Sequence, residues 1–145
     1  MENMKKYRIG YTTGVFDLFH IGHLNVLRNA KEQCEYLIVG VSTDEVVESY
    51  KHKKPIIPFE ERKAIVEAIK YVDCVVAQED MDKRAAWDNL HFNALFHGDD
   101  WKGSPMYDKY LEEFEGTGVE LVFLPHTAGT SSTTLTNVLN KLLDK

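Results

Sequence analysis

Gly14-Val15-Phe16-Asp17-Leu18-Phe19-His20-Ile21-Gly22-His23 is the stretch that decides the fold. Tyr7 to Thr13, just before it, reads as a strand ending at Gly14. Just after it, Leu24, Leu27 and Ala30 recur at helical spacing from Gly22 to Gln33. A strand that turns straight into a helix sets the helix's free N–H groups and positive dipole end beside the strand's carboxyl end, a place that suits phosphate. His20 and His23 can face one phosphate from there, and Gly22 removes a side chain where a ligand would approach. The plainer readings are two solvent-facing histidines or a half-built metal site. His-x-x-His supplies only two ligands, and no Cys or carboxylate is placed to complete a zinc site.

Outward from this stretch the chain alternates apolar runs with amphipathic ones. Strands are expected at Tyr36 to Val41, Cys74 to Ala77, Ala94 to His97 and Glu120 to Leu124. Helices are expected at Thr43 to Tyr50, Phe59 to Ile69, Lys83 to Leu90, Met106 to Glu115 and Ser132 to Leu143. The Phe59 to Ile69 helix turns Ala64, Ile65, Ala68 and Ile69 to one face, and the last carries Leu135, Val138, Leu139 and Leu142 as its inner stripe. Such alternation implies an α/β fold: a Rossmann-like, doubly wound parallel sheet of about five strands with helices on both faces. Ligands of such folds bind outside the carboxyl ends of the strands. The segments following the strands hold the unusual residues.

The 145 residues fit one domain spanning 1–145, and 28% charged with 43% hydrophobic residues is a soluble globular profile. No apolar run approaches the roughly 18 residues of a membrane span, and the polar start from Met1 to Arg8 is no signal peptide. Cys34 and Cys74 share no short spacing and read as reduced cysteines at element ends. A cytoplasmic location follows as the expectation. With 17 basic against 23 acidic residues the net charge is −6, which disfavours nucleic acid or a membrane surface as partner. It does not disfavour one small polyanion held in a basic cleft.

The opening stretch closely resembles the His-x-Gly-His signature of the nucleotidyltransferase superfamily, and within it the cytidylyltransferases. The resemblance runs through almost the whole chain: Ser42-Thr43-Asp44-Glu45, Lys51-His52-Lys53-Lys54, Glu61-Arg62-Lys63, Tyr71-Val72-Asp73, Gly98-Asp99-Asp100-Trp101, and the run from His126 to Thr133. It is strongest to the short bacterial members that act on glycerol 3-phosphate. Such enzymes join CTP to a phosphoalcohol, here sn-glycerol 3-phosphate, giving CDP-glycerol and pyrophosphate, with Mg²⁺ as cofactor and a homodimer as the assembly. The product would feed wall or capsule polymers. Other phosphoalcohols (ribitol 5-phosphate, phosphocholine, phosphoethanolamine), adenylyl transfer from ATP, and a nucleotide-binding module without turnover stay open as alternatives.

By the same resemblance His20, His23 and Lys53 are the catalytic residues. Val15, Phe16 and Gly22 lie against the nucleotide, as do Arg62, Asp99, His126, Thr127, Gly129, Ser131, Ser132 and Thr133. Lys51 and Arg84 face the second substrate, with Lys83 able to serve in place of Arg84. No metal-ligating residue is implied. The plainer readings are a solvated basic loop for Lys51 to Lys54, a surface ion pair for Arg62, a solvated charge pair for Lys83 and Arg84, and a helix N-cap for Ser131 or Ser132. His97 either borders the base or is a packing residue at a strand end. His52 and His91 read as solvent-facing.

Two positions depart from the family pattern: Lys70 and His126 stand where Arg is usual. Arg keeps its charge and grips phosphate through two nitrogens, whereas His is mostly neutral above pH 7. His126→Arg is therefore expected to tighten CTP binding at pH 8, measured by titration calorimetry; unchanged or weaker binding would contradict this.

Overall fold

The computed structural model describes residues 5–98, 104–125 and 132–143, and of Ser132 and Thr133 the backbone only. In chain order the elements are β1 (Tyr7–Gly14), α1 (Ile21–Gln33), β2 (Cys34–Ser42), α2 (Asp44–Lys51), α3 (Phe59–Glu67), β3 (Cys74–Gln78), α4 (Lys83–Leu90), β4 (Ala94–Gly98), α5 (Pro105–Glu113), β5 (Glu120–Leu124) and α6 (Ser132–Leu143). The five strands form one sheet in the order β3-β2-β1-β4-β5, every neighbouring pair parallel. The chain winds outward from β1 to β3, then returns to the far side of β1 for β4 and β5. That reversal opens a crevice at the carboxyl ends of the central strands. The expected doubly wound α/β fold is the fold observed.

Strand alternation sorts the core into two layers. Leu37, Val39 and Val41 of β2 face α1 and α3, where Leu27, Ala30 and Val66 meet them with Phe96. Ile38, one residue out of phase, faces the other way with Tyr11, Leu95, Phe92 and Tyr110, under α4 and α5. Each fully buried aliphatic side chain contributes about 1.5–3 kcal/mol. Cys34 and Cys74, both free, open β2 and β3.

Two helical faces differ from the sequence expectation. In α3 the buried row is Arg62 and Val66, with Ile69 half-buried beyond the helix end, while Ala64, Ile65 and Ala68 are exposed. The helix is turned by one position because Arg62 is drawn beneath the sheet ends, as described below. In α6 the stripe is exposed, Val138 at 51% and Leu142 at 60%. Among the described residues none of α6 joins either core layer.

The pairing of β1 with its neighbours depends on one small residue. A Cβ on Gly10 would stand 2.5 Å from Cε2 of Phe96 and 2.9 Å from Sγ of Cys34, both fully buried side chains with nowhere to move. Gly10→Ala is expected to destabilise the fold by about 1–3 kcal/mol, read as a lower urea midpoint at unchanged slope.

Candidate functional site

Helix α1 is capped by a histidine. His20, in extended conformation, accepts the Gly22 N–H on Nδ1 at 3.0 Å, and His23 Nδ1 accepts the His20 N–H at 3.2 Å. This is a capping box built from two imidazoles. Each Nδ1 is thereby an acceptor, so the ring proton of each neutral imidazole sits on Nε2. The rings lie 4.0 Å apart. Burial lowers the His20 pKa. His23 is pulled down to about 4, first by burial, then by His20, against an upward pull from Asp17. Both rings are neutral at pH 7 in the unliganded site.

The loop from β1 to α1 is strained. Phe16 (φ 55°) and Leu18 (φ 50°) both occupy the left-handed region, at a cost on the order of 1 kcal/mol or more each. Phe16 is buried, its ring 5.4 Å from His23 and 6.3 Å from Phe19. Between the two strained residues Asp17 turns inward, its carboxylate accepting the N–H groups of Ile56 at 2.8 Å and Ile57 at 2.9 Å.

Arg62 does not face this opening. It is fully buried, and its guanidinium donates to the carbonyls of Ile57 (2.8 Å), Val15 (2.7 Å) and Ser42 (2.7 Å) and to Oδ1 of Asp44 (2.6 Å). The expected nucleotide contact is therefore corrected to a clamp beneath the site. The plainer alternative, a surface ion pair with a neighbouring Glu, does not hold either. Sequence reading missed Asp17 and Asp44 as the anchors; Asp44 is legible only as a first-turn acid of α2.

Above the clamp lies a cleft of about 320 Å³. It is lined by His23, Val15 and Phe16 from the β1–α1 region, and by Lys51, Lys53 and Lys54, which form a lysine rim at the end of α2 and just beyond. Lys51 ends α2, and His52 turns the chain away in the left-handed region. Thr136 of α6 and Thr13 of β1 also line this cleft, and neither was singled out by the sequence reading. His20 and Gly22 are not among its lining residues and adjoin it only through the cap on His23.

The Lys83–Arg84 pair divides differently from expectation. Arg84 donates to the carbonyl of Glu113, lies 3.7 Å from Asp88 and covers the Trp87 ring at 5.1 Å. It is tied into the α4–α5 surface. Lys83 is the buried one, 2% exposed, on a second opening beside Tyr11, Gln78, Asp80 and Asn89. Burial lowers its pKa to about 8 against the carboxylates of Asp80 and Glu113. His97 packs flat on Tyr110, ring centroids 5.7 Å apart, and is pushed down to about 4 by burial and then by the Lys83 ammonium. His97 is thus a buried packing residue of the strand end.

Asp73 closes the Tyr71-Val72-Asp73 element by accepting the Leu37 N–H (2.7 Å) and the Lys31 ammonium (2.5 Å). Asp99, His126, Thr127, Gly129 and Ser131 lie outside the described residues, as do the side chains of Ser132 and Thr133. No group of three His, Cys, Asp or Glu among the described residues could hold a metal ion. No helix among them is long and apolar enough to cross a membrane.

The buried histidines make stability depend on pH with a definite sign. His23 and His97 bind protons less readily in the folded chain than the ordinary value of 6.5. Their contribution is complete above pH 6.5, falls as pH drops, and is gone below about 4. It is on the order of 2–3 kcal/mol for each ring. Urea midpoints should therefore fall between pH 7.5 and 5, and His97→Phe should reduce that fall; an equal fall in the variant would contradict this.

The sequence matches the family described as cytidylyltransferase-like over residues 11–136. It is 40% identical to a glycerol-3-phosphate cytidylyltransferase of Bacillus spizizenii, covering 84% of this chain and 89% of that one. The enzyme of the same name from Staphylococcus aureus is 36% identical over 84% of this chain and 87% of its own. An ethanolamine-phosphate cytidylyltransferase of Dictyostelium discoideum is 35% identical, but the match spans only 38% of its length. Among solved structures, a lipopolysaccharide core biosynthesis protein from Thermoplasma volcanium superposes with a TM-score of 0.71 at 22% identity, over 86% of this chain and 99% of that one. A pantoate-beta-alanine ligase from Francisella tularensis gives 0.64 at 13% identity, over 98% of this chain and 72% of its own. These two share the fold. The chain belongs to the cytidylyltransferase-like family.

Proposed function

We propose that the protein is a CTP-dependent nucleotidyltransferase that joins CTP and sn-glycerol 3-phosphate to give CDP-glycerol and pyrophosphate. The observation that carries this reading is the pair of capped histidines at the start of α1, of which His23 lines a cleft shared with three lysines. The family adds the reaction class. The two relatives named for glycerol 3-phosphate are matched over most of their own length, which favours that acceptor.

A phosphate oxygen of the acceptor attacks the α-phosphorus of CTP in line. The bond from that phosphorus to the bridging oxygen breaks, and pyrophosphate leaves with the electron pair. No proton must be removed from the nucleophile, so the site needs donors and cations rather than a base. His20 and His23 donate Nε2–H to the phosphate oxygens as charge shifts onto them. The N-terminus of α1 adds its dipole, and Gly22 leaves room for close approach. Val15 and Phe16 line the nucleotide side. Lys53 holds the triphosphate, and Lys51 stands at the same rim toward the second substrate. Asp99, His126, Thr127, Gly129, Ser131, Ser132 and Thr133 keep their expected nucleotide roles by resemblance.

For the acceptor phosphate we assign Lys83 rather than Arg84, because Lys83 is a nearly buried ammonium beside an opening and Arg84 is engaged elsewhere. The opening is also lined by Glu79, Asp80, Asp82 and Asn89, and its single aromatic, Tyr11, is no aromatic cage for a quaternary ammonium. The donor set among the described residues does not fit a resident metal, so Mg²⁺ is proposed to arrive on the triphosphate and to neutralise its charge. A homodimer, and a product used as donor for a wall or capsule polymer, belong to the same proposal.

Pyrophosphate release with CTP or ATP against glycerol 3-phosphate, ribitol 5-phosphate, phosphocholine and phosphoethanolamine tests this. CTP with glycerol 3-phosphate should turn over fastest. His20→Ala or His23→Ala should lower kcat about 10²–10³-fold. Lys83→Met should raise KM for the acceptor about tenfold or more, as loss of a charged phosphate contact does, while KM for CTP stays within about twofold. Nucleotide binding without turnover for any pair would overturn the enzyme reading in favour of a binding module; preference for ATP or another acceptor would reassign the substrates.

A further inference from the structure

We infer that Asp17 is a positioning residue for the lysine rim, holding residues 51–57 at the height at which Lys53 meets the triphosphate. The inference rests on the nucleotide role of Lys53 proposed above.

Lys51, Lys53 and Lys54 are exposed, and none forms an ion pair among the described residues. Their own charges repel one another, so they do not fix the segment. What fixes it is the pair Ile56–Ile57, bracketed by Pro55 and Pro58, which have no N–H to give. Both available N–H groups of this pair go to one carboxylate, at 2.8 and 2.9 Å from Asp17. The Ile57 carbonyl goes to Arg62 at 2.8 Å. A carboxylate with two amide donors and a guanidinium on the adjoining carbonyl make a charge-assisted staple at the point where the segment re-enters the fold.

The strain in the β1–α1 loop serves the same end. Phe16 and Leu18, the neighbours of Asp17 on each side, are both left-handed, and this double turn aims the carboxylate away from solvent and at the segment. Asp17, His23, Lys53 and Ile56 all border one cleft. The loop that begins the phosphate-facing helix thus also grips the lysine rim, and the two walls of the cleft are set relative to each other through one side chain. With both oxygens occupied by amide hydrogens, Asp17 is poorly suited to act as base or metal ligand.

A double-mutant cycle in kcat/KM for CTP tests this. Asp17→Asn removes one acceptor and keeps the shape. It should lower kcat/KM for CTP about tenfold or more, mostly through KM, with KM for glycerol 3-phosphate within about twofold. In a Lys53→Ala background the same change should cost less than about twofold. Trypsin should cleave the Asp17→Asn variant after Lys51, Lys53 or Lys54 about tenfold faster than the parent, well below the Tm of either. Equal losses in both backgrounds, or unchanged cleavage, would overturn the inference. If Lys53→Ala alone leaves CTP kinetics intact, the assigned role of Lys53 fails, and cleavage decides the staple by itself. Should Asp17→Asn not fold, amide exchange in the parent protein decides. Ile56 and Ile57 should be protected about 100-fold over Lys53 and Lys54, and equal exchange would refute the staple.

Discussion

The site hangs on the buried guanidinium of Arg62. One planar cation closes on the carbonyls of Val15, Ser42 and Ile57 and on the carboxylate of Asp44. These groups belong to the end of β1, the end of β2, the entry to α3 and the start of α2. Each carbonyl sits where the chain leaves or approaches regular structure and needs a donor from elsewhere. Five N–H groups in a fixed fork reach all four partners, which the three donors of a lysine ammonium would not. Burying the cation is compensated because every near neighbour accepts from it. Without it three carbonyls would lose their donor beneath the cleft, at a cost of several kcal/mol.

The same arrangement reconciles an acidic chain with a site for polyanions. Asp17 and Asp44 are the acids next to the cleft, and both are spent internally. Asp17 accepts two backbone amides; Asp44 accepts from Arg62 and, at 3.3 Å, from the Phe59 N–H. Their negative charge is balanced by donors on the protein side. The ammonium groups of Lys51, Lys53 and Lys54 form no ion pair among the described residues, which leaves positive charge at the rim. A net charge of −6 is thus spread over the outer surface while the local sign at the helix start is positive.

The fold was legible because its signals are local. Continuous apolar runs such as Tyr36 to Val41 mark strands buried on both faces, and the Gly14–His23 stretch marks the turn into α1. The position of His20 and His23 at the start of α1 was legible from the strand-to-helix pattern, and that of the lysine run from its place after β2. Arg62 was not. Its role depends on three carbonyls from segments up to 47 residues away, and charge on an amphipathic helix normally reads as surface. The rotation of α3 follows from the same fact, since the apolar stripe predicts one inner face and the guanidinium selects another. The choice between Lys83 and Arg84 turns on which of two adjacent positions of α4 points inward, a matter of roughly 100° that one short helix of eight residues leaves undetermined by pattern. The exposed stripe of α6 shows the converse: periodicity declares amphipathicity but not the presence of a neighbour.

The histidine cap explains why neutral rings occupy the centre of the site and ammonium groups its rim. An imidazolium at the start of α1 would face the positive end of the helix dipole and a second ring 4.0 Å away, and its Nδ1 would have to surrender the capping bond. The neutral form is therefore the favoured form, its tautomer fixed by the capping bonds. When a triphosphate enters, its charge opposes the burial that depresses His23 and raises the proton affinity of both rings. Their donation strengthens as negative charge gathers on the α-phosphate and the departing pyrophosphate. The interaction is weakest in the empty site and strongest where the proposed reaction develops most charge, which is the condition for binding energy to accelerate a step rather than merely to hold a substrate.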